Sequence, residues 1–210
     1  MAAPRDLTET GMANGALAHI GEPPISSLDD PQRAAARHCK RFFAEIRDEL
    51  LRERDWQFAR NSCTPAAGPT PPNAQWSFRY IMPSDCIAVL RVGDDPNSGP
   101  DWESPSTGDD VTVATVLDTN EVAPLVWYTR RVVNPAQWDE LFGRLFKFAL
   151  AAKVNPLVGR DKSLTNDLVA YAKGEKDDAS KRDSQQRSGQ QISRTTSWVQ
   201  SRWGYTSTPR

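Results

Sequence analysis

Apolar residues recur every three or four positions through the stretch 29–61, the most regular pattern in the chain. They are Ala35, Cys39, Phe42, Ile46 and Leu50. This spacing predicts an α-helix with one buried face and an opposite, charged face exposed to solvent, which includes Arg47. Asp29 or Asp30 is expected to cap the helix, with Pro31 at its first position. An aromatic anchor at 56–58 follows.

Three further stretches have helical spacing. Thr8 to Ile20 predict a short helix that Gly21 ends. Asn134 and Pro135 predict the start of another helix, with Asn134 as its N-cap and Pro135 at its first position. The apolar residues that follow lie on one stripe: Trp138, Leu141, Phe142, Leu145, Phe148, Ala149 and Ala152. A last helix is predicted from about residue 162, with apolar residues at Leu164, Leu168, Tyr171 and Ala172.

Between these helices the pattern becomes typical of β-strands. Trp76, Phe78 and Tyr80 alternate with polar residues, which predicts a half-buried strand. Further strands are predicted at 86–92, 111–116 and 125–132, with a turn at 118–120 and a loop without its own element at 62–73. The predicted class is therefore α+β. It comprises a helical bundle from the N- and C-terminal thirds (1–60 and 133–186), a small antiparallel β insertion (61–132) and an extended C-terminal tail (187–210).

Charge is distributed unevenly along the 210 residues. The net charge is −1, but the last thirty residues carry six basic residues and one acidic residue, which leaves −6 on the remainder. Residues 93–110 carry six acidic and no basic residues. An acidic body does not favour binding to phosphates, whereas a basic tail suits an acidic surface or nucleic acid. Because no long apolar run or leader pattern is found, a soluble protein is expected.

Candidate catalytic chemistry is sparse. Cys39, Cys63 and Cys86 are widely spaced and form no CxxC pair, so reduced structural thiols are expected. His38 and Cys39 are adjacent, but neighbouring residues on a helix point about 100° apart, which disfavours a catalytic dyad. Motifs of phosphate-binding loops, zinc proteases and serine hydrolases are not found in the sequence. A divalent-cation site in the acidic segment is less favoured than a solvated loop.

The tail interleaves basic and aromatic residues: Arg194, Trp198, Arg202, Trp203 and Tyr205. This composition is found in proteins that bind single-stranded nucleic acid. It is also found at protein interfaces, where Trp, Tyr and Arg are enriched. Because the tail is rich in Gln and Ser and its charge excess is small, docking onto a protein is the favoured interpretation.

Several segments resemble the tail tubular protein A family, the head-to-tail adaptors of short-tailed phages (podoviruses). The stretch ALAHIGEPPISSLDDPQRAAARHCKRFFAEIRDELLRERDWQFARN is similar to the N-terminal signature of that family: a short helix, an IGE turn, a long helix and a closing Trp-Phe-Ala pattern. WSFRYIMPSDCIAVLRV, YTRRVVNPAQWDELFGRLFKFALAAKV and the last polar helix are also similar. The resemblance covers about residues 14–186.

This resemblance implies a non-enzymatic structural protein of the virion neck, made in the host cytoplasm, without a cofactor or metal. It implies a ring homo-oligomer, expected to be a dodecamer, between the portal protein and the tail nozzle protein. Packaged DNA would pass through the ring without sequence-specific contacts, and no membrane partner is implied.

Three candidate surfaces follow from these considerations. The charged side of the long helix is the candidate subunit interface, with Arg37, Arg41, Glu45 and Arg52. The five tail residues named above are the candidate portal-docking site. A nozzle or channel loop is assigned to Asp94, Asp95, Asp101, Trp102 and Glu103. Two alternatives remain open: a DNA-binding accessory or ejection protein that uses its basic tail, and a peptidoglycan-cleaving protein.

Overall fold

The computed structural model describes residues 7–93, 99–104, 115–158 and 163–174. Over these residues the fold is mixed α+β, with four α-helices and two small antiparallel sheets, so the predicted class is confirmed. The helices are α1 (Glu9–His19), α2 (Ala34–Glu53), α3 (Glu140–Val154) and α4 (163–174). None of the helices in this described part is long and apolar enough to cross a membrane.

Helix α1 confirms the prediction for the first helix. The Thr8 hydroxyl accepts a hydrogen bond from the backbone N–H of Gly11 at 3.0 Å and caps the first turn. At the other end Gly21 has a φ of 69°, the left-handed conformation that glycine adopts easily after a helix. Gly15 allows the close approach of α3, because a Cβ there would lie 2.8 Å from the Lys147 side chain.

Helix α2 begins later than predicted. It starts at Ala34 after Arg33, and no side chain caps it. Asp30 instead accepts a hydrogen bond from the N–H of Gln32 at 2.9 Å, and Asp29 pairs with Lys40 at 2.7 Å. These two carboxylates are therefore engaged elsewhere, and Pro31 precedes the helix.

The buried face of α2 also differs from the prediction at three positions. Ala36 is fully buried, whereas Ala35 is only partly buried. Phe43 is buried, whereas Phe42 is only partly buried. Arg47, expected to face solvent, is also buried and donates a hydrogen bond to Asp48. Cys39, Ile46 and Leu50 are buried as predicted.

Helix α3 begins at Glu140, capped by Asp139, which accepts a hydrogen bond from the N–H of Leu141 at 2.8 Å. The predicted start at Asn134 instead forms a separate 3-10 turn, Pro135–Gln137. The helix packs on α1 and α2 around a cluster of aromatic rings: Phe43, Trp56, Phe58, Trp138, Phe142 and Phe146. The anchor at 56–58 therefore belongs to the main helical core.

Two sheets lie between α2 and α3 in sequence, where one sheet was predicted. The first has the order β1-β7-β4 and the second has the order β2-β3-β6-β5, all antiparallel. The strands are β1 (Arg60–Cys63), β2 (Ala66–Ala67), β3 (Phe78–Ile81), β4 (Cys86–Val92), β5 (Trp102–Glu103), β6 (Val116–Thr119) and β7 (Val126–Arg130). Residues from both sheets form a second apolar cluster that includes Tyr80, Leu117, Val126 and Tyr128.

Three predictions for this region need correction. The supposed loop 62–73 supplies part of β1 and all of β2. Asp118 and Thr119, expected in a turn, lie in β6, where Asp118 is buried and accepts two hydrogen bonds from Arg79. Phe78 is 37% exposed rather than buried, and Trp76 lies before β3. Of the strand predicted at 111–116, residues 111–114 lie outside the described residues.

Helix α4 confirms the last predicted helix, although Tyr171, predicted on its apolar face, is 63% exposed. Leu168 is buried against the helical core, and Leu164 and Ala172 are partly buried there. Asn155, at the end of α3, is fully buried and donates a hydrogen bond to the hydroxyl of Thr165 at 2.8 Å. This bond fixes the start of α4 to the end of α3.

Candidate functional site

The charged face of α2 is exposed at all four candidate interface residues: Arg37, Arg41, Glu45 and Arg52. Successive residues of an α-helix are rotated by about 100°, so these four fall within about 80° of arc. The centre of that arc lies opposite the buried residues Cys39, Ile46 and Leu50. Over about 22 Å of helix, the core therefore holds one side of α2 while the other side presents charge to solvent.

Contacts within the chain leave much of the charged face of α2 available for contact with another surface. Arg37 donates a hydrogen bond to the carbonyl of Pro31 at 2.9 Å, and the Arg41 guanidinium lies 5.4 Å from the ring of Phe42. Among the described residues, Glu45 and Arg52 form no ion pair. The face therefore offers both signs of charge for contact with another surface.

The acidic segment is more ordered than predicted where the structure describes it. Trp102 and Glu103 form the edge strand β5 rather than an exposed loop. Trp102 packs on the sheet cluster, and Glu103 accepts a hydrogen bond from the Trp76 indole at 3.0 Å. Asp101 has an exposed side chain, and its carbonyl accepts a hydrogen bond from Thr119. Asp94 and Asp95 lie outside the described residues.

The candidate docking residues of the tail also lie outside the described residues: Arg194, Trp198, Arg202, Trp203 and Tyr205. In the part of the chain that the structure describes, no three His, Cys, Asp or Glu side chains are grouped so that they could hold a metal ion.

All three cysteine thiols have raised pKa values, and Cys39 and Cys86 are buried whereas Cys63 is partly buried. Burial raises the pKa of Cys39 from 9.0 to about 11. Burial, with the nearby Asp85 carboxylate, raises the pKa of Cys86 to about 12. Both thiols are therefore protonated at neutral pH, whereas a nucleophilic or metal-binding cysteine acts as the thiolate.

The histidines take part in packing. The ring of His19 stacks on Phe148 with 4.4 Å between centroids. Burial, followed by the nearby Lys147 cation, lowers the pKa of His19. His38 is partly buried beside Cys39 on α2. The stack places the last turn of α1 against α3.

One surface was not predicted, an apolar groove of about 510 Å³ that we call the α2–α3–α4 groove. It is lined by Ile46 and Leu50 of α2, Leu145 and Ala149 of α3, and Val169 and Ala172 of α4. Glu49 and Glu53 stand on the α2 side, and Lys153 and Lys173 stand on the side of α3 and α4. The small alanine side chains leave the space between the helices, and Val169 is 55% exposed there.

Comparison with known proteins gives no further constraint on these surfaces. No protein-family model matches the chain, and no curated protein matches it at a significant level.

Proposed function

We propose that this chain is the subunit of a ring-shaped, non-enzymatic adaptor of a phage virion, which joins the portal to the tail nozzle and surrounds the DNA exit channel. In this role the helices of the N- and C-terminal thirds act as one bundle that carries the ring. The sheets between them form an insertion, and the tail docks onto the portal.

The observation that carries this proposal is the charged face of α2. A ring needs a surface that meets a different surface of the next subunit, repeated around a closed circle. Arg41, Glu45 and Arg52 provide such a surface on a helix whose opposite side is packed into the core. Mixed charge at that contact favours specific pairing over general adhesion.

The net charge of the chain is also suited to a channel through which DNA passes. Outside the last thirty residues, the chain carries a net charge of −6. Since binding to DNA depends largely on basic residues that neutralise phosphates, an acidic body is suited to let DNA slide past. The resemblance to the tail tubular protein A family supports the same role.

The test is electron microscopy of the purified protein with and without portal particles, together with native mass spectrometry of any ring. Rings attached to the portal, with a stoichiometry expected to be twelve, support the proposal. Glu45→Arg is expected to reduce ring formation. Glu121→Arg is the matched control, because Glu121 is exposed in the turn after β6 and undergoes the same change of charge.

Two results would contradict the proposal. The adaptor role is wrong if the wild-type protein does not associate with any portal particle and instead binds DNA in a salt-dependent manner, as expected of an accessory or ejection protein. The assignment of the subunit interface is wrong if rings form equally well with Glu45→Arg and Glu121→Arg.

A further inference from the structure

The α2–α3–α4 groove is an apolar surface with space for a ligand-sized group. Its volume of about 510 Å³ lies within the range of pockets that bind organic ligands, about 300–1,000 Å³. Its floor is made by buried side chains such as Ile46 and Leu145, and Val169 stands at its exposed edge. A groove formed by three helix faces is the type of surface that receives an apolar stripe of another segment.

We propose that the tail segment Trp198 to Tyr205 of the same chain occupies this groove. The chain itself provides the first argument, since α4 forms one wall and the structure describes the chain up to residue 174, immediately after Lys173 of that wall. Another 36 residues follow, to residue 210. Among them the apolar side chains are sparse, and Trp198, Val199, Trp203 and Tyr205 fall within eight positions.

Spacing within the segment supports this choice of occupant. Val199 and Trp203 are four positions apart, and Trp198 and Arg202 have the same separation. On a helical turn, residues four apart lie on one face, so Val199 and Trp203 would present one apolar edge and Trp198 would lie beside Arg202.

The length of the connecting residues and their covalent attachment to α4 favour the chain's own tail over that of another molecule. The 23 residues between 174 and 198 can span up to about 80 Å when extended, far more than the width of the groove. A covalent tether of this length holds its end at an effective concentration on the order of millimolar. A weak apolar contact is therefore enough to hold the segment in place.

The charged residues around the groove favour one orientation of the tail segment. Glu49 and Glu53 line the α2 side of the groove, whereas Lys153 and Lys173 line the other side. From residue 184 to the end the chain has no acidic residue, and Arg202 lies within the proposed segment. The segment would therefore place Arg202 toward α2, away from the two lysines.

The contact is proposed for the chain that is not bound to a portal, since docking onto the portal, as proposed above, would take the same tail residues out of the groove. The chain alone is therefore sufficient for the test, and its outcome does not depend on the adaptor role. The test uses methyl NMR spectra of the full-length protein. Replacing the two tail indoles together, Trp198→Ser and Trp203→Ser, is expected to shift the methyl resonances of Ile46, Leu145 and Val169. The methyls of Leu117, in the sheet cluster, serve as the internal reference and are expected to stay unchanged.

A complementary variant changes the groove and leaves the tail intact. Val169→Glu is expected to shift the indole N–H resonances of Trp198 and Trp203, because it places a charge at the edge of the groove. Val122→Glu is the matched control, since Val122 is 68% exposed in the turn before β7. Unchanged groove methyls in the double tail variant would overturn the proposal. Shifts that grow with protein concentration would overturn it too, because they would assign the groove to the tail of another molecule.

Discussion

Asp48 and Arg131, 83 residues apart in sequence, are joined by a hydrogen bond of 3.0 Å from Arg131 Nε to Asp48 Oδ2. The second carboxylate oxygen of Asp48 accepts a hydrogen bond from Arg47 Nε at 2.8 Å. The Arg47 side chain is 8% exposed, whereas that of Arg131 is 39% exposed. One carboxylate therefore balances a buried cation of α2 and connects this helix to the segment that follows β7.

Asp48→Ala is expected to lower the free energy of unfolding by about 2–4 kcal/mol, because it leaves the buried guanidinium of Arg47 without its counter-ion. Arg131→Ala is the control and is expected to cost about 1 kcal/mol or less, as its ion pair is partly exposed to water. Urea denaturation followed by circular dichroism measures both. Equal losses in the two variants would show that Arg47 does not depend on Asp48.

The indole of Trp56 stabilises the end of α2. Its N–H donates a hydrogen bond of 2.9 Å to the carbonyl of Leu50, which belongs to the last turn, where carbonyls lack a partner within the helix. Trp56→Phe retains a ring against Phe142 and removes the donor. We expect a loss of about 1–3 kcal/mol in the free energy of unfolding, because a buried carbonyl loses its partner. Phe58→Leu retains this hydrogen bond, so denaturation curves for the two variants separate the bond from the ring packing.

The helices could be predicted from the sequence because each has an apolar stripe that repeats within a few residues. Their starts were less predictable. Asp30 has the side chain of a helix cap, but it accepts its hydrogen bond from Gln32 in a local turn, and the helix begins four residues later. An Asp side chain can cap a helix or accept a hydrogen bond within a local turn, and a few hydrogen bonds decide between the two. The sequence pattern does not show which of them forms.

The short strands and the groove were not predictable in the same way. Ala66 and Ala67 form a strand because they pair with Tyr80 and Ile81 of β3, more than ten residues further along. The α2–α3–α4 groove depends on the small side chains of Ala149 and Ala172, contributed by two different helices. Both features arise from contacts between segments that are distant in sequence, so no local sequence pattern predicts them.

Stability is expected to fall at alkaline pH because of the buried thiols. Cys39 and Cys86 have pKa values of about 11 and about 12 in the folded protein, against the ordinary 9.0. Above about pH 9 the unfolded chain loses these protons while the folded chain retains them. The folded state then binds more protons, so the free energy of unfolding decreases as pH rises.

Urea denaturation at a series of pH values from about 8 to about 11 measures this slope. Cys39→Ala is expected to flatten it, because the titrating group is removed. Cys63→Ala is the comparison and is expected to flatten it less, because Cys63 is only partly buried, although burial and the nearby Asp85 also raise its pKa. A slope that is identical in wild type and Cys39→Ala would contradict the assignment.

The bond between Asn155 and Thr165 is expected to control how firmly α4 is held. Thr165→Val preserves the shape of the side chain and removes the acceptor of a fully buried amide N–H, which costs about 1–3 kcal/mol. Hydrogen exchange of the backbone amides in 163–174 is expected to accelerate, while exchange in α3 stays slow. Asn166→Ala, an exposed change on the same helix, is the control. Equal exchange in wild type and Thr165→Val would show that apolar packing alone holds α4.

Deletion of residues 190–210 tests the proposed docking of the tail onto the portal. Both apolar clusters of the described fold are built from residues 12–172, so the truncated chain is expected to keep the circular dichroism spectrum and cooperative unfolding of the full chain. Its attachment to portal particles is expected to weaken, because Arg194, Trp198, Arg202, Trp203 and Tyr205 are lost together. Co-sedimentation with portal particles measures the attachment. A full-length variant with Thr206→Ala and Thr208→Ala in the same tail is the control, since it changes neither charge nor aromatic content. If the truncated chain co-sediments as well as this control, the portal is held by another surface, and the exposed face of α2 becomes the next one to test.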